Sequence, residues 1–586
     1  SCSLRSHARS RPLGHPPTQI DRPMLVVQAS PLLCRRALVA LPAAAVQAAR
    51  AARSLSTDAP LMTTQEVRQL FSIESRIQSW LDVEAHMAQA QAGVGIIPKD
   101  AAAEIARAAS SIRKYNLPEL SEDMRTTHSP VLSLVRVLAD KCQGSAGSYV
   151  HWGATTENII VAGLLLQTRR AHSEILGQLA ACLQAASALA DEPPGRERVC
   201  VGRTVQRQAV PTTWGFRFAV FIEELARHGD RLLESEQRLL RISFGGALGA
   251  FHALDGDPRT SEELGKRLGM RPHPVQVRSS YDCFSEYLMH LGLLSSTVTR
   301  IAGELYSLMG EEVGEVKEVL ENGMVGSSTM AAKINPKYAP NVLALAGQVR
   351  AACVLPALEI MRPQHEGDPT CSVRVHRTVT EALPLAHKLL SELSLLLRHI
   401  EPDEEALQRN LRLSEPDVGH YFRHVVNGSS SEPRGGSLLC TENAVMRLGA
   451  ATAHRQGGDG GRQWAYEAVS RAAREASQER IPLVDSLMRD PLVCSAVPEA
   501  ELRAMLQPEN YLGASAAVAR EAVALAGDAA SRLRAAAGKA RSASERVQVI
   551  KYRLGYTLRN GHTPGSCSLS SAGSLVDPKV VEEFTI

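Results

Sequence analysis

The chain is expected to fold as an all-α protein. Aromatic residues make up only 4% of its 586 residues, and Ala- and Leu-rich runs recur along its length. Alternating β-branched stretches are few, so the pattern fits helices better than sheets. Apolar residues at helical spacing make the same point locally: Ile301, Leu305, Leu308 and Met309 share one face, as do Phe216, Val220, Phe221 and Leu225 within 212–240. The length suggests about three to four domains.

From the N-terminus, residues 1–60 read as an organellar targeting segment. No acidic residue occurs between Arg22 and Thr57, while Arg35, Arg36, Arg50 and Arg53 alternate with Ala, Leu and Val, the composition of a presequence. Met24 is a candidate start. A mitochondrial address is expected, with a plastid or the cytoplasm as alternatives. Residues 61–150 are expected to form an N-terminal helical domain, with Ile73, Ile77, Trp80 and Leu81 on a helix that ends at the turn over 93–98. A central helical bundle is expected over 151–425. One helix should begin just after Thr155 and run past Arg169 and Arg170, and another should cover 212–240. A C-terminal helical domain is expected over 426–535, interrupted by the Gly/Ser-rich runs Gly428–Gly436 and Gly457–Gly461. Residues 536–586 read as a partly disordered appendage.

Charge and cysteine usage exclude several classes. A net charge of +3 gives no basis for binding nucleic acid or a membrane surface, and no uninterrupted apolar stretch reaches the roughly 18 residues of a spanning helix. The 11 cysteines are scattered, as Cys182, Cys200, Cys283 and Cys353 illustrate, which points to a reducing compartment or to no dependence on disulfides. Cys371 near His365 is not supported as a nucleophile. No His/Asp/Glu cluster has ligand spacing, so neither metal nor cofactor is expected.

The densest chemistry lies in Gly326-Ser327-Ser328-Thr329-Met330-Ala331-Ala332-Lys333-Ile334-Asn335-Pro336, three hydroxyls, a lysine and an amide between two backbone punctuators. It reads as a substrate loop, carried by the helix that contains Ile301 and Leu308. Three further blocks precede it: Thr127-His128-Ser129, His151-Trp152-Gly153-Ala154-Thr155-Thr156, and Gly202-Arg203-Thr204 with Pro211-Thr212-Thr213.

Together these blocks resemble the signature of the fumarase/aspartase superfamily over roughly residues 60–530. The resemblance implies a three-domain fold with a long central helical bundle and a homotetramer in which three subunits build each active site. It also implies a lyase that removes a proton next to a carboxylate and expels a group from the neighbouring carbon. By resemblance Ser327 is the base, with Ser328 as fallback. Lys333 supplies charge, Asn335 donates to a carboxylate, and Thr155 and Thr156 bind the carboxylate of a small substrate. His151 is either a general acid or a structural histidine. Arg203, Thr204 and His128 complete the expected substrate contacts, and Glu157-Asn158 is expected to cap the following helix.

The third block departs from most of the superfamily. Adenylosuccinate lyases, argininosuccinate lyases and fumarases carry histidine after the Gly-Arg-Thr-like block, held by a glutamate five residues after the signature asparagine. This chain has Val205 and Pro340 there. Cycloisomerases acting on 3-carboxy-cis,cis-muconate also lack the pair, and Phe244-Gly245-Gly246-Ala247-Leu248-Gly249-Ala250 resembles their glycine loop. Arg68–Ser72 with Leu81–Ala85, Asn410-Leu411 and Tyr511–Gly513 fit that branch too. Ala331-Ala332, in place of Pro-His, and Gly367, in place of arginine, do not. The expected function is thus most like that cycloisomerase. An adenylosuccinate lyase-like enzyme with a phosphate site at His128, Arg125 or Arg203 is one alternative, and a non-catalytic relative another.

Overall fold

The computed structural model describes residues 64–191, 197–276, 278–417, 435–455 and 460–560, the last thirteen as backbone alone. The targeting segment, most of the run 428–436, residues 457–459 and residues 561–586 lie outside the described residues.

The architecture is predominantly helical. Seven helices exceed twenty residues among those described: α1 (Ile73–Gly93), α2 (Thr156–Asp191), α3 (Trp214–Leu239), α4 (Asp282–Leu308), α5 (Tyr338–Ile360), α6 (Pro369–Arg398) and α7 (Ser515–Asn560). Among the described residues the strands form three two-stranded ribbons. They pair as β1 (Val199–Thr204) with β2 (Arg207–Thr213), β3 (Arg241–Ile242) with β4 (Arg271–Pro272), and β5 (Val316–Glu318) with β6 (Ile400–Pro402).

Helix α2 is the hub. Leu165, Ile175, Leu176, Leu179, Ala180 and Leu183 are all buried, because α1, α3, α6 and α7 each pack on it; a helix apolar on most sides belongs at the centre of a bundle. Arg169, within this helix, donates from Nη1 to the Leu268 carbonyl at 2.6 Å and from Nε to Ser544 Oγ at 3.1 Å. Burial pulls its guanidinium down to about 10.

The cores do not follow the boundaries expected at 150/151 and 535/536. Leu81, Ile105, Leu134 and Leu176 share one apolar core across the first. A second core gathers Cys440, Leu448, Val469, Leu487 and Leu506. The chain then returns to the first core, since Ala526, Ala530, Leu533 and Val547 of α7 pack there. The second boundary thus falls inside α7, and residues 536–560 continue that helix instead of forming an appendage. Its buried stripe is mostly alanine, small enough for close helix approach but weakly amphipathic.

The helix at 301–308 does not carry the signature loop directly. Helix α4 ends at Leu308, and β5 intervenes before Gly326. Helix α5 follows the loop and is long and apolar enough to cross a membrane by length and composition only, with a window of mean hydropathy 1.5 that is 39% buried within the chain.

Candidate active site

The signature loop is closed by its own backbone. Asn335 N–H donates to Gly326 O at 3.3 Å, and Lys333 N–H to Met330 O at 3.1 Å. A Cβ on Gly326 would meet Lys333 O at 2.8 Å, so only glycine permits this closure. Ser327 Oγ accepts from Met330 N–H at 3.1 Å and, more weakly, from Thr329 N–H at 3.4 Å. Ser328 and Lys333 are exposed, Asn335 half-buried. Lys337 Nζ donates to Gly326 O at 3.3 Å, a second cation in the loop.

Beyond the loop, the entry to α5 is held by a carboxylate. Glu318 accepts from the N–H groups of Lys337, Tyr338 and Ala339 at 2.5, 3.0 and 2.9 Å. These are three of the four orphan donors of a helix start; the fourth position is Pro340, which has none. The residue that replaces the family glutamate thus fits a helix terminus already satisfied from β5. His399 braces the same region, its ring stacked on Tyr338 at 5.0 Å and its Nε2 3.0 Å from Glu321.

In the second block His151 adopts a left-handed backbone (φ 62°). Its Nδ1 lies 2.6 Å from Oε1 of Glu84, a buried carboxylate on α1. Gln91, also on α1, donates to Trp152 O at 2.6 Å. Thr155 and Thr156 are half-buried at the start of α2.

Asn158 acts as a cap, accepting from Thr155 N–H at 3.1 Å and donating to Ser243 O at 3.1 Å. Glu157 does not. It turns inward and accepts from Tyr281 Oη. Burial pushes its carboxyl up, against the opposing pull of Tyr281, Ser372 and the charge of Arg278. Burial and then Glu157 itself push the Tyr281 phenol up. The glycine loop packs alongside: a Cβ on Gly249 (φ 89°) would overlap Gln276 O at 1.4 Å, and Phe244 N–H donates to Gln276 Oε1 at 2.7 Å.

The third block is the ribbon β1–β2. Its tip residues Val205 and Gln206 both have positive φ, 50° and 61°, the geometry of a type I′ turn. Val205 is 94% exposed in the chain, and Thr204, paired with Arg207, is exposed beside it. Arg203 is not placed as a free substrate ligand: its guanidinium is committed to the fully buried Glu315, which also accepts from Arg217 at 3.3 Å and from Asn410 Nδ2 at 2.9 Å. Burial alone would raise the Glu315 carboxyl, but the hydrogen bond from Arg203, the charge of Arg217 and the Asn410 amide hold it below the usual range.

Other expected residues are scattered. His128 is exposed in a left-handed helix cap (φ 50°), and Arg125 pairs with Glu122, so neither joins Arg203 in a phosphate site within the chain. Cys371 is buried. A cleft of about 800 Å³ lined by Leu248, Arg362, His365, Glu366 and Arg374 abuts the glycine loop but includes neither Ser327 nor Lys333. Among the described residues no three His, Cys, Asp or Glu side chains are grouped to hold a metal ion. Sequence reasoning missed Glu84, Glu315, Glu318 and His399. Each is an ordinary polar residue in the sequence, whose role comes from a distant partner.

Residues 60–351 match the family model described as Lyase, and 437–522 the one described as Adenylosuccinate lyase C-terminus. The adenylosuccinate lyase of Methanothermobacter thermautotrophicus is 33% identical over 455 residues, 77% of this chain and 94% of that protein. The chain belongs to the fumarase/aspartase superfamily and is a lyase of that class. Trans-aconitate decarboxylase 1 of Mycosarcoma maydis is 30% identical over 465 residues, 78% of this chain and 87% of that protein. Among solved structures, the 3-carboxy-cis,cis-muconate lactonizing enzyme from Pseudomonas putida is similar with a TM-score of 0.67 and 25% identity, over 80% of this chain and 98% of that one.

Proposed function

We propose that the chain catalyses β-elimination, or the reverse addition, at the carbon next to a substrate carboxylate, with Ser327 as base. The observation that carries this reading is the pair of backbone N–H groups on Ser327 Oγ. A serine hydroxyl is far too weak a base unless its alkoxide is stabilised, and here two donors already point at the atom where charge would develop. Lys333 adds an exposed cation, and Lys337 a second, held on Gly326 O. Thr155, Thr156 and Asn335 supply donors for the substrate carboxylate.

The leaving group is assigned first as the substrate's own carboxylate, as in a lactonising cycloisomerase, because Val205 cannot transfer a proton. An amine leaving group is the second reading, favoured by the adenylosuccinate lyase C-terminal match and the archaeal relative.

The site is completed between copies of the chain, in a homotetramer. Leu355 and Leu358 on α5 are 67% and 53% exposed, an apolar pair one helical turn apart that a partner helix would cover. A mitochondrial address, proposed from the acid-free segment 22–57, is tested by import of the tagged chain.

Ultraviolet absorbance during incubation with 3-carboxymuconate, adenylosuccinate, argininosuccinate, malate and trans-aconitate tests the chemistry. A gain or loss of conjugation with one acid identifies the class. A folded tetramer inert to all of them points to the non-catalytic alternative.

A further inference from the structure

We infer that Arg278 is a substrate-binding residue that takes a second carboxylate of the acid. The inference rests on the reading that Thr155 and Thr156 hold the first. Its support begins with a close approach at Gly367, the glycine that stands in place of arginine. A Cβ there would lie 3.3 Å from Arg278 Nη1 and 3.6 Å from its Cζ, so the guanidinium rests against bare backbone and any side chain at 367 would press on it. An arginine head thus reaches this place from a different segment of the chain. Arg278 also lines a narrow recess with Glu157, Asn158 and Tyr281 at the start of α2, and Glu157 directly follows Thr156. Gly367 lines the cleft of about 800 Å³ together with Leu248 and His365. The guanidinium stands where recess and cleft meet.

The group has no internal employment. Arg278 is half-buried, and among the described residues it makes no hydrogen bond and no ion pair. Two other arginines of the cleft are committed: Arg362 Nη1 lies 3.3 Å from Glu359 Oε1, and Arg374 Nη1 donates to Glu359 O at 3.0 Å. Glu157 is not the partner of Arg278 either. That carboxyl is turned to Tyr281 and Ser372, and the charge of Arg278 is the weakest of the three pulls that oppose its burial. A partly desolvated guanidinium without a counter-charge is costly, and a polar group left in that state calls for an occupant. The occupant that matches its planar fork is a carboxylate, which accepts two parallel hydrogen bonds.

Two anchors fix the segment that carries it. Gln276 accepts from Phe244 N–H at 2.7 Å and donates from Nε2 to His273 O at 2.6 Å. Tyr281, three residues beyond Arg278, is held by Glu157. With both ends tied, less freedom is lost when the side chain closes on a ligand. The substrate class is therefore an acid with at least two carboxylates. The one on Thr155 and Thr156 acidifies the proton that Ser327 removes; the one on Arg278 is a handle, and it sets the preference for polyacids over monocarboxylic acids.

Calorimetric binding of succinate and of butyrate tests this without turnover. The parent should bind succinate at least about tenfold more tightly, and Arg278→Met should remove the difference. On whichever acid of the panel is turned over, Arg278→Met should raise KM by about 10–100-fold with kcat within about threefold of the parent. Arg278→Lys, which keeps the charge but not the fork, should fall between. Adding Gly367→Arg to Arg278→Met should recover at least half of the loss on a logarithmic scale, because the new head starts beside the old one.

An undiminished preference for succinate in Arg278→Met would overturn the proposal, and so would a double variant no better than the single one. Dissociation of the Arg278→Met assembly in sedimentation would also overturn it, by assigning the guanidinium to a contact between copies. A fall in melting temperature that Glu157→Gln relieves would assign it to Glu157 instead. Failure of the underlying reading looks different: Thr155→Ala with unchanged binding of both acids removes the threonine site, whatever Arg278 does. A chain inert to the whole panel that still binds succinate through Arg278 removes the elimination and keeps the handle.

Discussion

Glutamine in place of Glu315 separates a structural Arg203 from a substrate-binding one. The carboxylate is fully buried and takes hydrogen bonds from Arg203 (Nη1 at 3.1 Å), Arg217 and Asn410. Glutamine keeps the shape and removes the charge, leaving two guanidiniums facing each other. Breaking a buried ion pair from one side costs about 3–5 kcal/mol. The side chains of Arg203 and Arg217 keep 26% and 10% of their surface exposed, so water recovers part of their solvation and the lower end, about 3 kcal/mol, applies. For Arg203→Met the loss is smaller, about 1.5–3 kcal/mol, the range for a hydrogen bond to a charged group, because Glu315 keeps Arg217 and Asn410.

Urea unfolding is the first assay. A slope of about 3 kcal/mol/M or steeper turns the Glu315→Gln loss into a midpoint shift of about 1 M or less. The described residues gather in more than one apolar core, so unfolding need not be a single transition; hydrogen exchange of the amides in 199–213 localises the effect to the β1–β2 ribbon. Turnover of Arg203→Met should keep its KM. A KM raised tenfold or more with unchanged stability and exchange would refute the argument and return Arg203 to the substrate.

Ser327→Ala should abolish turnover and leave substrate binding within about tenfold, while Lys333→Met should damage both, as steady-state kinetics and calorimetric binding will show. Thr155→Ala and Ser327→Ala, each inactive, should regain partial activity when unfolded together and refolded, because mixed assemblies contain some sites without a lesion; an active monomer in sedimentation would contradict shared sites. Val205→Asn should stabilise the chain by about 0.5–1 kcal/mol, since a β-branched residue is strained at φ 50°, and Val205→His should leave stability nearly unchanged and bring no gain in amine elimination from adenylosuccinate. The Glu315 carboxyl is depressed by folding, so its contribution is complete above the unfolded value of about 4.3 and is lost as pH falls through the lower folded one. Glu315→Gln should therefore flatten the acid limb of a thermal-melt series.

Local signals were readable where a single element carries them. Apolar spacing marked α3 and the end of α4, the glycines and proline of 93–98 marked a turn, and the fixed identities of 326–336 marked the loop. The ribbon β1–β2 escaped because its Val-Gln tip lacks the Asn-Gly chemistry of a type I′ turn. Helix α7 was cut short because alanine gives a weak moment, although its stripe packs on α2. Long-range pairs were invisible for a different reason. Glu84 meets His151 across 67 residues of sequence, and Glu315 meets Arg203 across 112; only the packing of α1 on α2, and of β5 near the ribbon, brings them together.

That packing also changes what Val205 means. Read along the sequence, valine after Gly-Arg-Thr is a missing acid, and the chain looks confined to leaving groups that need no proton. In the structure Val205 sits on an exposed tip, while a histidine already paired with a buried carboxylate stands in the turn before α2. The absence at 205 therefore restricts the leaving group only if His151 is a structural residue. The left-handed backbone does not decide between the two roles, since His128 and His365 share it (φ 50° and 57°); a proton donor needs both an orienting carboxylate and an open face. The leaving-group question thus moves from the ribbon tip to the turn before α2, where His151→Gln separates a lactonising enzyme, whose leaving carboxylate needs no proton, from one that expels an amine or hydroxyl.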